Sequence, residues 1–156
     1  MNLNQLTIKE AGEGLKRKEF SSIELTKSCL DQIKKHNSTL NAFITITGKE
    51  ALESAQEADE IIKRNADLPL LGIPIALKDL FSTKGIKTTA GSKVLEDYVP
   101  QYDATVVRKL KEAGAIIIGK TNLDAWAHGS SGENSDFGLT KNPWNKKYVP
   151  GGSSSG

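Results

Sequence analysis

Between residues 71 and 118 an apolar run, an amphipathic stretch and a second apolar run follow one another, and that order leaves few folds open. Leu71-Gly-Ile-Pro-Ile-Ala-Leu77 reads as a strand buried on both faces, with Pro74 asking for a sheet edge or a bulge. Asp103 is placed to cap a helix through Ala113, with Val106, Leu110 and Ala113 on one side and Gly114 as its stop. Ala115-Ile-Ile-Ile118 then forms a short buried strand, and Asn122 to Ala127 a helical turn. Strand, helix and strand in this order make a βαβ unit, which implies a parallel sheet and an α/β fold.

The first 65 residues read differently. Three segments open with the spacing Ser/Thr-x-x-Glu that lets a side chain and a backbone N–H cap each other: Thr7 to Glu10, Ser21 to Glu24 and Thr47 to Glu50. The helices they start are expected to end near Lys18, His36-Asn37 and Arg64-Asn65. Leu25, Cys29 and Ile33 share one face of the second; Ala51, Ala55, Ala58 and Ile62 share one face of the third. Leu40 to Ile46 between them reads as a strand.

Composition excludes more than it assigns. The 156 residues carry 21 basic and 19 acidic side chains, interspersed, so no basic stripe marks a nucleic-acid or membrane surface. A single cysteine, Cys29, cannot form an internal disulfide, and its place on an apolar helix face reads as a packed thiol. MNLNQLTIKE has neither the basic nor the apolar region of a signal peptide, and no apolar run is long enough to span a bilayer. A cytoplasmic location is the expectation. His36 and His128 are the only histidines and have no ligand-spaced partners, which argues against a zinc site and a histidine-based triad.

Gly114-Ala-Ile-Ile-Ile-Gly-Lys-Thr121 satisfies the phosphate-loop pattern, yet its middle residues are β-branched strand formers and a helix precedes it. It is read as a strand. Lys78 ends an apolar strand, where a lysine either turns to water or is held in a dry pocket as a neutral base. Asp79 beside it is a possible counter-ion, although strand neighbours point to opposite faces. Gly129-Ser-Ser-Gly-Glu-Asn-Ser135 is rich in turn formers. Pro150-Gly-Gly-Ser-Ser-Ser-Gly156 reads as a linker, a cloning remnant or a structured loop.

Gly72-Ile-Pro-Ile-Ala-Leu-Lys78-Asp, Gly119-Lys-Thr-Asn122, Phe137-Gly-x-Thr-x-Asn-Pro-Trp144 and Pro150-Gly-Gly-Ser-Ser154, in that order, resemble the amidase signature family over essentially the whole chain. Gly129-Ser-Ser-x-Glu-Asn-Ser135 is most similar to its tRNA-dependent amidotransferase branch. The resemblance implies helices packed on a mixed, largely parallel sheet. Residues 1–156 would be the N-terminal part of one amidase domain, with 1–65 a helical region and 66–156 the truncated start of the catalytic core. It implies a Ser–cis-Ser–Lys triad in which Lys78 is the catalytic lysine and Ser153 the bridging serine. Gly129 and Ser130 would lie against substrate, and no metal is implied. The acylated serine of the family falls beyond residue 156, so this stretch alone is expected to be inactive. The Ser153 loop is expected to be disordered or trans.

For the amidotransferase branch the implied reaction is hydrolysis of glutamine, the ammonia converting Glu-tRNA(Gln) to Gln-tRNA(Gln). The implied partners are a B and a C subunit in a heterotrimer, with tRNA bound through B, and the chain itself carries no cofactor. ATP and magnesium would be used by the B subunit. The rival readings are another amidase-signature hydrolase of a small amide, or a non-catalytic assembly fragment. Two positions depart from the pattern: Ser155 stands where glycine is commonest, and Gly132 where the amidotransferase branch often has threonine.

Overall fold

The computed structural model describes residues 2–156. Helices α1 (Ile8–Lys16), α2 (Ser22–Leu40), α3 (Gly48–Lys63) and α4 (Thr105–Glu112) alternate with strands β1 (Phe43–Ile46), β2 (Pro74–Lys78) and β3 (Ile116–Thr121). Single 3-10 turns lie at Leu3–Gln5, Lys93–Leu95 and Ala125–Ala127. The sheet order is β1-β3-β2, with β1 antiparallel to β3 and a bulge between Phe43 and Thr45. Ile116 N–H donates to Ile73 O, and Asp79 N–H donates to Thr121 O. Pairing that advances in the same sense on both strands makes β2 and β3 parallel, as a βαβ crossover requires. The fold is therefore α/β with a mixed sheet. Pro74 sits on the edge strand, where its missing N–H costs no ladder bond.

Two of the three capping boxes form. Thr7 Oγ1 accepts from Glu10 N–H while Glu10 accepts from Thr7 N–H, and Ser21 and Glu24 do the same for α2. These donors hold both glutamates below the usual carboxylate range, the backbone hydrogen bond first and the hydroxyl second. The third box does not form: Thr47 has no side-chain cap bond, because its hydroxyl donates instead to Ile117 O at 2.8 Å. Helix α2 runs three residues past its expected end, through Leu40, which confines β1 to Phe43–Ile46.

Helix α4 begins at Thr105 and buries Val107, not Val106, which is 41% exposed. The inward row is thus Val107 and Leu110, at i and i+3. Asp103 accepts from Lys84 N–H at 2.7 Å. Gly114 ends the helix as expected: its N–H donates to Lys111 O and that of Ala115 to Leu110 O. This is the Schellman pattern, with φ of +90° at the glycine.

The chain forms two interleaved compact units. The first, residues 1–33, 47–75 and 108–118, holds the apolar core. Ala51, Ala55 and Ala58 of α3 lie on Leu71, Ile116 and Ile118, flanked by Cys29, Leu30 and Ile33 of α2. Small side chains let the helix approach the sheet closely, and burial pushes the Cys29 thiol pKa up. A second cluster joins Ala11, Leu15, Leu25 and Ile73. Asp59 of α3 accepts from the N–H groups of Ser22 and Ile23, so one helix supplies the N-terminal acceptor of another. The second unit, residues 34–46, 76–107 and 119–156, consists mostly of turns and loops around the ends of β2 and β3.

Candidate active site

All the residues that sequence reading singles out for chemistry lie in the second unit. Lys78 is the last residue of β2 and is half-buried. Its Nζ donates to Ser153 Oγ across 2.6 Å. Two side chains seventy-five positions apart thus meet at hydrogen-bond distance.

Asp79 turns the other way, as strand alternation demands. Its partner is Lys120 of β3, whose Nζ lies 3.0 Å from Asp79 Oδ1, both side chains being wholly buried. The same ammonium donates to Thr88 Oγ1 at 2.7 Å and to Phe81 O at 3.0 Å. Burial pulls the Lys120 pKa down, and the Asp79 charge opposes that pull. Asp79 Oδ2 accepts from the N–H and hydroxyl of Thr89, whereas Oδ1 accepts no well-formed hydrogen bond and is compensated by the lysine charge. Of the stretch Gly114 to Thr121 that matches the phosphate-loop pattern, Ile116 to Thr121 is β-strand, buried at all six positions.

The Ser153 loop is ordered, and the Gly152–Ser153 peptide is cis. This corrects the expectation of a disordered or trans loop. The reason lies in contacts made by earlier parts of the same unit. Gly152 N–H donates to Ser130 O at 2.7 Å, Asp124 N–H to Ser153 O at 3.0 Å, and Gly156 N–H to Asn122 O at 3.0 Å. Asp124 organises the opposite loop as well. Its wholly buried carboxylate accepts from Gly132 N–H at 3.1 Å and Asn134 N–H at 3.0 Å. Asn122, also wholly buried, accepts from Ser135 Oγ at 2.6 Å and donates to Gly138 O at 2.9 Å.

Ser130 therefore lies beside Gly152, one residue from Ser153, while Gly129 packs against the Asp124 carboxylate and the Asn134 side chain. His128 and His36 are exposed, and no cluster of three or more metal-ligating side chains occurs among the described residues. Sequence reading missed Lys120 and Asp124 as organisers. A lysine closing a β-branched strand was the available signal, since such a residue is rarely buried unless paired.

A family model described as Amidase matches residues 24–156. The chain belongs to the amidase family. Among curated family members it is 57% identical, over its whole length, to the A subunit of glutamyl-tRNA(Gln) amidotransferase from Desulforapulum autotrophicum. It is 56% identical to that of Geobacter metallireducens. In each case it spans 32% of the relative's length. Among solved amidase-family structures, the glutamyl-tRNA(Gln) amidotransferase A subunit of Thermotoga maritima matches with a TM-score of 0.79 and 38% identity, over 99% of this chain and 31% of that one. The peptide amidase of Stenotrophomonas maltophilia matches with a TM-score of 0.88 and 36% identity, over 97% of this chain and 32% of that one.

Proposed function

We propose that Lys78 and Ser153 are two members of a Ser–cis-Ser–Lys proton relay, and that the protein containing this chain hydrolyses the side-chain amide of glutamine. The observation that carries the reading is the 2.6 Å contact between Lys78 Nζ and Ser153 Oγ. A neutral lysine in the same position reverses that hydrogen bond and accepts the serine proton. Ser153 in turn accepts a proton from a nucleophilic serine, which family resemblance puts beyond residue 156. The nucleophile adds to the amide carbonyl, the C–N bond breaks, and Lys78 returns its proton through Ser153 to the departing ammonia. Water then cleaves the acyl ester by the same route. Backbone N–H groups of the glycine-rich loops, at Gly129 and at Ser130 beside Gly152, would hold substrate and the oxyanion.

Identity above one half to two glutamyl-tRNA(Gln) amidotransferase A subunits, over every residue of the chain, supports glutamine as the amide donor. The ammonia then converts Glu-tRNA(Gln) to Gln-tRNA(Gln) in a cytoplasmic heterotrimer. The B subunit of that assembly binds tRNA and uses ATP and magnesium, and a C subunit is bound alongside. No helix among the described residues is long and apolar enough to cross a membrane.

The test is ammonia release from glutamine by the full-length protein. Lys78→Met and Ser153→Ala should each lower kcat by about 10²–10⁴-fold, the usual worth of positioned acid–base groups. A Ser153→Ala enzyme within threefold of the unaltered one would remove the relay.

A further inference from the structure

We propose that Gly132 and Ser155 form a size-complementary pair that sets the spacing of the two loops around Ser153, so that a side chain at 132 is compatible only with glycine at 155. A Cβ built on Gly132 would lie 2.6 Å from Ser155 Cβ and 3.1 Å from Gly151 O. Carbon atoms at 2.6 Å overlap well inside van der Waals contact, so one backbone has to move. Ser155 cannot yield by a rotamer change, because Cβ is fixed by the backbone. The serine is only 6% exposed, and its Oγ sits 3.3 Å from Oγ1 of the buried Thr140. Gly132 is held in place by its N–H bond to the buried Asp124 carboxylate.

The two loops are also joined by the bond from Gly152 N–H to Ser130 O. Ser153 lies between that bond and Ser155, so separating the loops at 132 and 155 displaces the hydroxyl that meets Lys78. Gly132 and Ser155 face each other, so a change at one bears directly on the other. Glycine is the residue that Ser155 requires at 132. The pair is a positioning device: neither residue takes part in the relay.

A double-mutant cycle in the full-length protein tests this, with kcat and KM for ammonia release from glutamine and the thermal midpoint as readouts. Gly132 has φ of +85°, so any side chain there is strained in every background. That strain cancels in the cycle, leaving the contact. Gly132→Ala is expected to lower kcat at least about tenfold, equivalent to ~1.4 kcal/mol, with KM changed less. In the Ser155→Gly background the same substitution should cost at least about threefold less, because the strain and the 3.1 Å approach to Gly151 O remain while the Ser155 contact is gone. Ser155→Ala keeps the Cβ and should leave Gly132→Ala as damaging as before, which separates the carbon contact from the Thr140 hydrogen bond.

Loss of soluble Gly132→Ala protein, cured by Ser155→Gly, is the same result in another form. Equal losses whether serine or glycine occupies position 155, or misfolding that Ser155→Gly does not cure, overturn the proposal. The activity readout rests on the proposed function, and the midpoint does not. If the unaltered protein released no ammonia, that function would fail while the midpoints still decided the pair.

Discussion

Replacing Lys120 by methionine removes the cation paired with the buried Asp79 carboxylate. Methionine is close in volume and packs readily, so little of the expected cost comes from a cavity. The cost is electrostatic. Lys120 Nζ compensates Asp79 Oδ1 and also donates to Thr88 and Phe81. The variant leaves a wholly buried carboxylate supported by the Thr89 N–H and hydroxyl alone. Removing one member of such a pair costs about 3–5 kcal/mol, whereas replacing both by neutral groups is often far milder. At about 2–4 °C per kcal/mol for a chain of this size, Lys120→Met should lower the melting midpoint by roughly 6–20 °C. Lys120→Met with Asp79→Asn should recover a good part of that loss. Thermal and urea titrations followed by circular dichroism measure both. A Lys120→Met variant within ~1 kcal/mol of the unaltered protein, or a double variant as damaged as the summed single changes, refutes the pairing as an energetic unit.

A Cβ on Gly119 would lie 2.6 Å from Thr45 O and 2.9 Å from the Phe43 ring, so Gly119→Ala should force β1 away from β3 and cost about 1–3 kcal/mol by urea titration. The N-terminal caps give a pH dependence with a definite sign. Glu10 and Glu24 have folded pKa values below their ordinary 4.5, so their caps stabilise fully above that value and weaken as pH falls through the lower, folded pKa. Amide exchange at the first turns of α1 and α2 should accelerate in acid, after correction for intrinsic rates, and acid-insensitive exchange there would refute the capping role of both glutamates.

Much of the fold could be read from local chemistry. The strand–helix–strand order, the choice of edge or bulge that Pro74 imposes and the Gly114 stop each follow from one or two residues whose backbone options are few. The rejection of the phosphate loop followed from three isoleucines in a row, which the structure buries. Errors came where a distant group competes with a local one. Thr47 has the right neighbour for a capping box, yet the Ile117 carbonyl takes its hydroxyl. Asp79 has Lys78 as its chain neighbour, yet the charge that faces it is Lys120 on β3. The order of the Ser153 loop was missed for the same reason, since it depends on Asp124, Ser130 and Asn122, whose contribution has no periodicity to reveal it. The meeting of Lys78 with Ser153 was anticipated only through family resemblance. Spacing alone does not bring a strand end to a loop.

Asp124 accepts from two amides of one loop and, through its own N–H, steadies the carbonyl of Ser153 in the other. Ser130 and Asn122 tie the backbone on either side of Ser153 to the same region. A single carboxylate out of reach of solvent thus couples both loops, and its loss would be felt at a hydroxyl it does not touch.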